Sequence, residues 1–132
     1  MRIDHLIVGA RDVAASAEFY CNFLGFLTTP DDPGADGGMV LSQDQCELLI
    51  LPFNEARLPN PAHFAFRVES VAEFEGLLSR AIEMGLHPRS MPPKNSKPGV
   101  GVLSRGGKQY KIFYVFDPAG SNVEVMVGAN LN

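Results

Sequence analysis

The fold of this chain is decided by residues 3–26, IDHLIVGARDVAASAEFYCNFLGF, together with their echo at residues 61–86, PAHFAFRVESVAEFEGLLSRAIEMGL. In each, a short apolar run with a histidine at its third position passes through a polar turn into an amphipathic helix that stops at a glycine. His5 and His63 are 58 residues apart, and Val13 and Val71 keep that offset. Asp12 stands where an N-cap is needed. Val13, Ala17, Tyr20 and Leu24 then recur along one helical face, and Gly25 supplies a left-handed stop. The second helix opens on Ser70-Val71-Ala72-Glu73, a capping box. It continues along Val71, Phe74, Leu78 and Ala81 and ends at Gly85.

Strand-like segments follow each helix. In the first half they cover residues 26–29, 38–42 and 46–51, interrupted by the breaker-rich PDDPGADGG at 30–38. In the second half they cover 86–91, 99–103, 110–116 and 122–127. Asp117-Pro118-Ala119-Gly120 reads as a turn, because proline fixes φ and glycine accepts a positive one. Both halves are read as β-α-β-β-β, the second with four strand-like segments after its helix in place of three. A half alone is too short to bury both faces of its sheet, so the halves are expected to pair. The expectation is one α+β domain spanning 1–132, built from two βαβββ modules. These cover about 1–58 and 61–132 and join at Pro59-Asn60-Pro61. Together they form a cupped mixed sheet with helices on the outer face.

Composition narrows the function. The chain has 132 residues, 45% hydrophobic and 20% charged, an ordinary globular mixture. Its net charge of −4 argues against a general nucleic-acid binder. No apolar run approaches a membrane span. Asp4, His5 and Asp12 break the stretch that a secretory signal would need, so a cytoplasmic protein is expected. Cys21 and Cys46 are then expected to be reduced and buried.

Side-chain parity locates the chemistry. Strand residues alternate between faces, so His5 lies with Ile3 and Ile7, while Leu6 and Val8 take the other face. In the repeat, His63 lies with Ala65 and Arg67, opposite Phe64, Phe66 and Val68. The all-apolar sets suit the helix layer, which leaves both histidines on the concave side. The last strand of each half carries a single acid, Glu47 in CELLIL and Glu124 in NVEVMV, again opposite an apolar set. A carboxylate inside a strand is costly unless paired or metal-bound. Taken singly, each of the four admits a structural reading, as a partly buried histidine or a glutamate at a strand end. As four residues at repeat-equivalent places they point to one divalent transition metal, Ni, Zn, Co, Mn or Fe, held by His5, Glu47, His63 and Glu124.

Other features are weaker. Residues 92–116 contain no acid but five bases, Lys94, Lys97, Arg105, Lys108 and Lys111. They read either as a solvated surface or as a flap attracting an anionic substrate, with Arg105 and Lys108 as its contacts. Arg67 shares the concave face with His63 and suits an acid or a substrate. Met126 lines the same side, with Ile3, Ile7, Leu49, Leu51 and either Phe113 or Tyr114. Asp31, Asp32 and Asp36 lack calcium-loop spacing, and His87 reads as a surface residue.

IDHLIVGARDVAASAEFYCNFLGF, PAHFAFRV and FYVFDPAGSNVEVM resemble the vicinal oxygen chelate superfamily over nearly the whole chain. That group holds glyoxalase, extradiol dioxygenases, fosfomycin-resistance enzymes, methylmalonyl-CoA epimerase and bleomycin-binding proteins. The resemblance implies paired βαβββ modules and a homodimer, with a site whose halves come from one subunit or two. His5, His63 and Glu124 match the ligands shared by the metal-dependent branches, and Glu47 matches the fourth ligand of the glyoxalase type. The metal-free bleomycin-binding branch lacks this set. Ile7 and Gly9 stand where glutathione-using members carry threonine or arginine. Tyr114, ten residues before Glu124, resembles a substrate-contacting tyrosine of dioxygenases and fosfomycin enzymes. A plain two-residue turn would instead put Phe113 opposite Glu124, and Tyr114 reaches that place only if the turn holds an extra residue.

The family's shared step is chelation of two adjacent substrate oxygens, which stabilises an oxyanion. The leading expectation is an isomerase, epimerase or lyase in which Glu47 or Glu124 shuttles a proton. With Glu47 outside the set, two histidines and one carboxylate suit Fe(II) and ring-cleaving dioxygenation. A non-catalytic protein that sequesters a small molecule or antibiotic is the third reading. In each case the partner is a small molecule, with no nucleic acid or membrane.

Overall fold

The computed structural model describes residues 4–29, 37–44, 46–53, 63–90 and 98–129. Strand β1 (His5–Ala10) leads into helix α1 (Val13–Leu24) and strands β2 (Leu27–Thr28), β3 (Met39–Gln43) and β4 (Cys46–Pro52). Strand β5 (His63–Arg67) leads into helix α2 (Val71–Glu83) and strands β6 (Gly101–Arg105), β7 (Lys108–Phe116) and β8 (Asn122–Gly128). Asp12 caps α1 by accepting from Ala15 N at 3.0 Å, and Gly25 closes it with φ 78°. Ser70 Oγ accepts from Glu73 N at 3.1 Å while Glu73 accepts from Glu69 N at 3.2 Å. Asp12 and Ser70 thus each satisfy an N–H that the first helical turn would leave open, and Glu73 reaches back to the N–H before the cap.

Each run of elements makes one four-stranded mixed sheet, in the orders β1-β4-β3-β2 and β5-β8-β7-β6. The first and last strands of each run are parallel neighbours, β1 with β4 and β5 with β8, and the other pairings are antiparallel. This is the α+β, βαβββ pattern expected from sequence. The chain divides into two compact units, Met1–Ala62 with Asp117–Ser121, and His63–Phe116 with Asn122–Asn132. In the first, α1 packs on β3 and β4, and Val8, Leu41, Leu48 and Ile50 are buried on one sheet face. In the second, α2 packs on β8, and Phe74 meets Phe113 edge-on at 5.2 Å between ring centres. Val123, Val125 and Val127 are fully buried with them.

Three expectations change. Residues 86–90 form no strand, and only Arg89 bridges, to Tyr114 and Pro98. Gly85 and His87 both have positive φ, 70° and 53°, and Pro88 has no N–H to donate, so a continuous ladder cannot run through them. The basic stretch is not a loop where it is described. Residues 101–116 form a hairpin closed by Gly106 and Gly107, with φ of 57° and 75°, the two-residue turn whose twist matches its strands. Third, Cys21 and Cys46 are unbridged but only partly buried. Asp31, Asp32, Asp36, Ile3, Lys94 and Lys97 lie outside the described residues. Among the described residues, no helix is long and apolar enough to cross a membrane.

The turn after β7 is held by one buried acid. Asp117 Oδ1 accepts from Ala119 N at 3.0 Å and Ser121 N at 2.8 Å, and Oδ2 accepts from the Tyr20 hydroxyl at 2.7 Å. Burial raises the Asp117 carboxyl above 3.8, against the lowering effect of these bonds, and burial raises the Tyr20 phenol further. A raised carboxyl contributes stability that is complete below 3.8 and lost as pH rises through its folded value. Asp117→Asn removes that loss, so in urea unfolding the variant gains on the parent as pH rises from 3.8 toward neutrality. Tyr20→Phe leaves a buried carboxylate oxygen short of a donor and destabilises by about 1–3 kcal/mol in the same assay.

Candidate metal and substrate site

In the second sheet, paired residues share a face, and the register sets Ala65 and Tyr114 on either side of Glu124. His63, Arg67, Met126, Tyr110, Ile112 and Tyr114 lie on that same face. His63 Nε2 is 3.1 Å from Glu124 Oε2. The His63 ring meets the Tyr114 ring edge-on at 5.4 Å between centres. Glu124 is 5% exposed, and its Oε1 is buried without a hydrogen-bond partner among the described residues. Burial first, then the neighbouring Glu124 charge and a side-chain hydrogen bond to Glu124, push the Tyr114 phenol up to about 12. The group therefore remains an O–H donor at neutral pH. The five residues 117–121 separate Phe116 from Asn122, and that length brings Tyr114, not Phe113, opposite Glu124. Phe113 points to the helix layer.

The first sheet carries a different pair. His5 and Glu47 are opposite each other on β1 and β4, on one face with Ile7, Leu49 and Ser42. Both are exposed. His5 Nδ1 bonds to Asp4 Oδ2 at 2.9 Å. The parity expectation for Glu47 holds, but the equivalence of place does not. The helix N-caps Asp12 and Ser70 each follow their histidine by the same interval, so His5 and His63 correspond. His5 faces Glu47 across the ladder, whereas His63 faces Asn122. Glu47 therefore corresponds to Asn122, and Leu49 takes the place of Glu124. The alternation of strand side chains hides such a shift, because moving by two residues preserves the face.

The remaining residues divide clearly. Arg67 is exposed, with its guanidinium over the Tyr110 ring, 5.3 Å from the ring centre. Met126 is buried in a cluster with Tyr110, Ile112 and Tyr114. Arg105 and Lys108 pair at the hairpin tip. Lys108 lies six positions before Tyr114 along β7, roughly 20 Å of strand, so neither base borders Glu124. Among the described residues, no group of three or more His, Cys, Asp or Glu side chains is gathered tightly enough to hold a metal ion. Each sheet supplies a pair. Sequence reasoning missed Asp4 and Tyr110. Tyr110 was available from parity with Tyr114, but Asp4 precedes the strand and followed from no periodicity.

The donor chemistry of the second pair fits a divalent metal. An imidazole nitrogen and a carboxylate oxygen 3.1 Å apart are donor types that divalent transition metals take. Glu124 Oε1, without a hydrogen-bond partner among the described residues, leaves the carboxylate an oxygen free to coordinate.

The family model of the Glyoxalase/Bleomycin resistance protein/Dioxygenase superfamily matches residues 2–125. The chain belongs to that superfamily. Among solved structures it is similar to one titled Oxidase ChaP-H1, with 29% identity and TM-score 0.72, covering 96% of this chain and 95% of that one. Oxidase ChaP-H2 gives 27% identity and TM-score 0.72, covering 96% and 93%. The lactoylglutathione lyase of Agrobacterium tumefaciens, at 22% identity and TM-score 0.66 with coverage of 96% and 92%, shares the fold. No curated protein matches. Members of the superfamily commonly use a divalent metal and bind small molecules.

Phenolate absorbance in an alkaline titration, taken as the difference between the parent and Tyr114→Phe, is expected to place the Tyr114 transition at about 12. Glu124→Gln removes the adjacent charge and lowers that transition; an unmoved transition would show that the carboxylate has no part in it.

Proposed function

We propose that the chain is a metal-dependent oxidase or extradiol-type dioxygenase acting on a small molecule with two adjacent oxygens. His5, His63 and Glu124 are its metal ligands. The observation that carries this reading is the buried Glu124, with one oxygen on His63 and the other without a hydrogen-bond partner among the described residues, while Glu47 stands two residues out of step. That favours a single carboxylate with two imidazoles, a set suited to non-haem Fe(II). The similarity to two structures titled oxidases, at 27% and 29% identity, supports the same class.

Bound iron would supply chelation of the vicinal oxygens and activation of O₂. The chain's own residues do the rest. Tyr114, kept protonated, donates a hydrogen bond to an oxyanion developing on the substrate beside Glu124. Ile112 and Met126 limit water on that face. Arg67 presents an exposed guanidinium to an acidic substituent. His5 comes from the same chain or from a second copy in a homodimer. The second reading is an isomerase or lyase in which Glu47 is a fourth ligand and proton shuttle; its support is that Glu47 faces His5 directly.

The deciding experiment reloads stripped protein with Fe(II), Ni(II) or Zn(II). Oxygen uptake with catechols is then measured alongside proton exchange at 2-oxo substrates. Turnover only with Fe(II) and O₂ is expected. His63→Ala and Glu124→Ala should weaken iron binding by more than the roughly 10–100-fold typical of outer-shell changes, while Glu47→Gln keeps near-parental affinity. Proton exchange with Ni(II) or Zn(II) that Glu47→Gln abolishes would overturn the oxidase reading in favour of the isomerase.

A further inference from the structure

Asp4 lies one residue before β1 and has no place in the ligand set. Its carboxylate Oδ2 is nevertheless 2.9 Å from His5 Nδ1. An ionised carboxylate accepts hydrogen bonds and donates none, so the proton of that bond sits on the imidazole nitrogen. In the neutral ring the lone pair is then on Nε2. Metal-binding histidines are commonly held this way, with one nitrogen donating to a carboxylate and the other left basic.

The second sheet makes the contrast plain. His63 uses Nε2, not Nδ1, to meet Glu124. The two histidines therefore turn different ring nitrogens to their acids. His63 is bound by an acid that is itself a ligand in the proposed site. His5 is bound by an acid that faces the other ring nitrogen and leaves Nε2 without a hydrogen bond among the described residues. The backbone at this point is anchored separately, since Asp4 O accepts from Glu47 N at 3.0 Å whatever the Asp4 side chain is. The Asp4 side chain is 80% exposed and that of His5 50% exposed, so their bond is not needed to satisfy buried groups.

We propose that Asp4 is a positioning residue that fixes the His5 tautomer and ring orientation, so that Nε2 is presented as a metal donor. The inference rests on the metal reading given above and concerns His5 alone. Because the pair is solvated, the effect belongs at the lower end of the outer-shell range, about tenfold in metal affinity.

The test compares the parent chain, Asp4→Ala and Asp4→Asn. Co(II) is titrated in by visible absorption, and the His5 ring nitrogens of the metal-free proteins are assigned by ¹⁵N NMR. The parent and Asp4→Asn are expected to show the Nδ1–H tautomer, because asparagine keeps an acceptor while losing the charge. Asp4→Ala is expected to shift toward Nε2–H and to bind Co(II) about tenfold more weakly. Asp4→Asn should recover most of that loss. Equal affinity in the parent and Asp4→Ala overturns the role. So does equal weakening in both variants, which would reduce Asp4 to a bulk charge, and so does an Nε2–H tautomer in the parent. A parent that takes up no Co(II) overturns the metal reading and this role with it, whereas a parent that binds Co(II) as well as Asp4→Ala overturns this role alone.

Discussion

The parallel pairing of the first and last strands in each unit is the constraint on which the site depends. A helix must carry the chain back across the sheet before a parallel neighbour can form, and further strands must be laid down before the last one enters beside the first. This places His63 next to Glu124 although 61 residues separate them. Backbone hydrogen bonds fix the spacing between the strands, and the pleat fixes which side chains share a face. The imidazole and the carboxylate are therefore adjacent because of ladder geometry, before any attraction between them is considered.

Burial turns that adjacency into chemistry. A carboxylate in a sheet interior loses most of its hydration and must recover it from donors. Glu124 recovers part of it from His63, and its other oxygen has no partner among the described residues. The same low-dielectric surroundings, with the charge of Glu124 close by, hold the Tyr114 phenol in its protonated form. Glu47 and His5 are in the opposite situation. Both are exposed, so water satisfies them and nothing forces them into a pair. Two repeats of one strand and helix order thus supply one pair with a buried carboxylate and one pair that is solvated throughout.

Asp117 shows the same principle used for structure. Its carboxylate accepts from two backbone N–H groups and from Tyr20, and these bonds offset part of the desolvation without removing it. The turn that this acid organises is five residues long, and its length sets the register of β7 against β8. That register is what carries Tyr114, and not Phe113, to Glu124.

The sequence by itself determined the two helices, the βαβββ order and the face on which each histidine and glutamate lies. These depend on local periodicity, capping chemistry and strand alternation, all of which are written within a few residues. The strand expected at 86–91 failed because periodicity does not weigh the left-handed His87 and the missing N–H of Pro88 against an apolar run. Only the tertiary structure decided the register. A ladder can slide by two residues with no change of face, so Glu47 and Glu124 looked equivalent in sequence and are not. Burial was decided there too: whether a strand glutamate is solvated or sealed depends on what packs over its face, which no pattern of neighbours along the chain encodes.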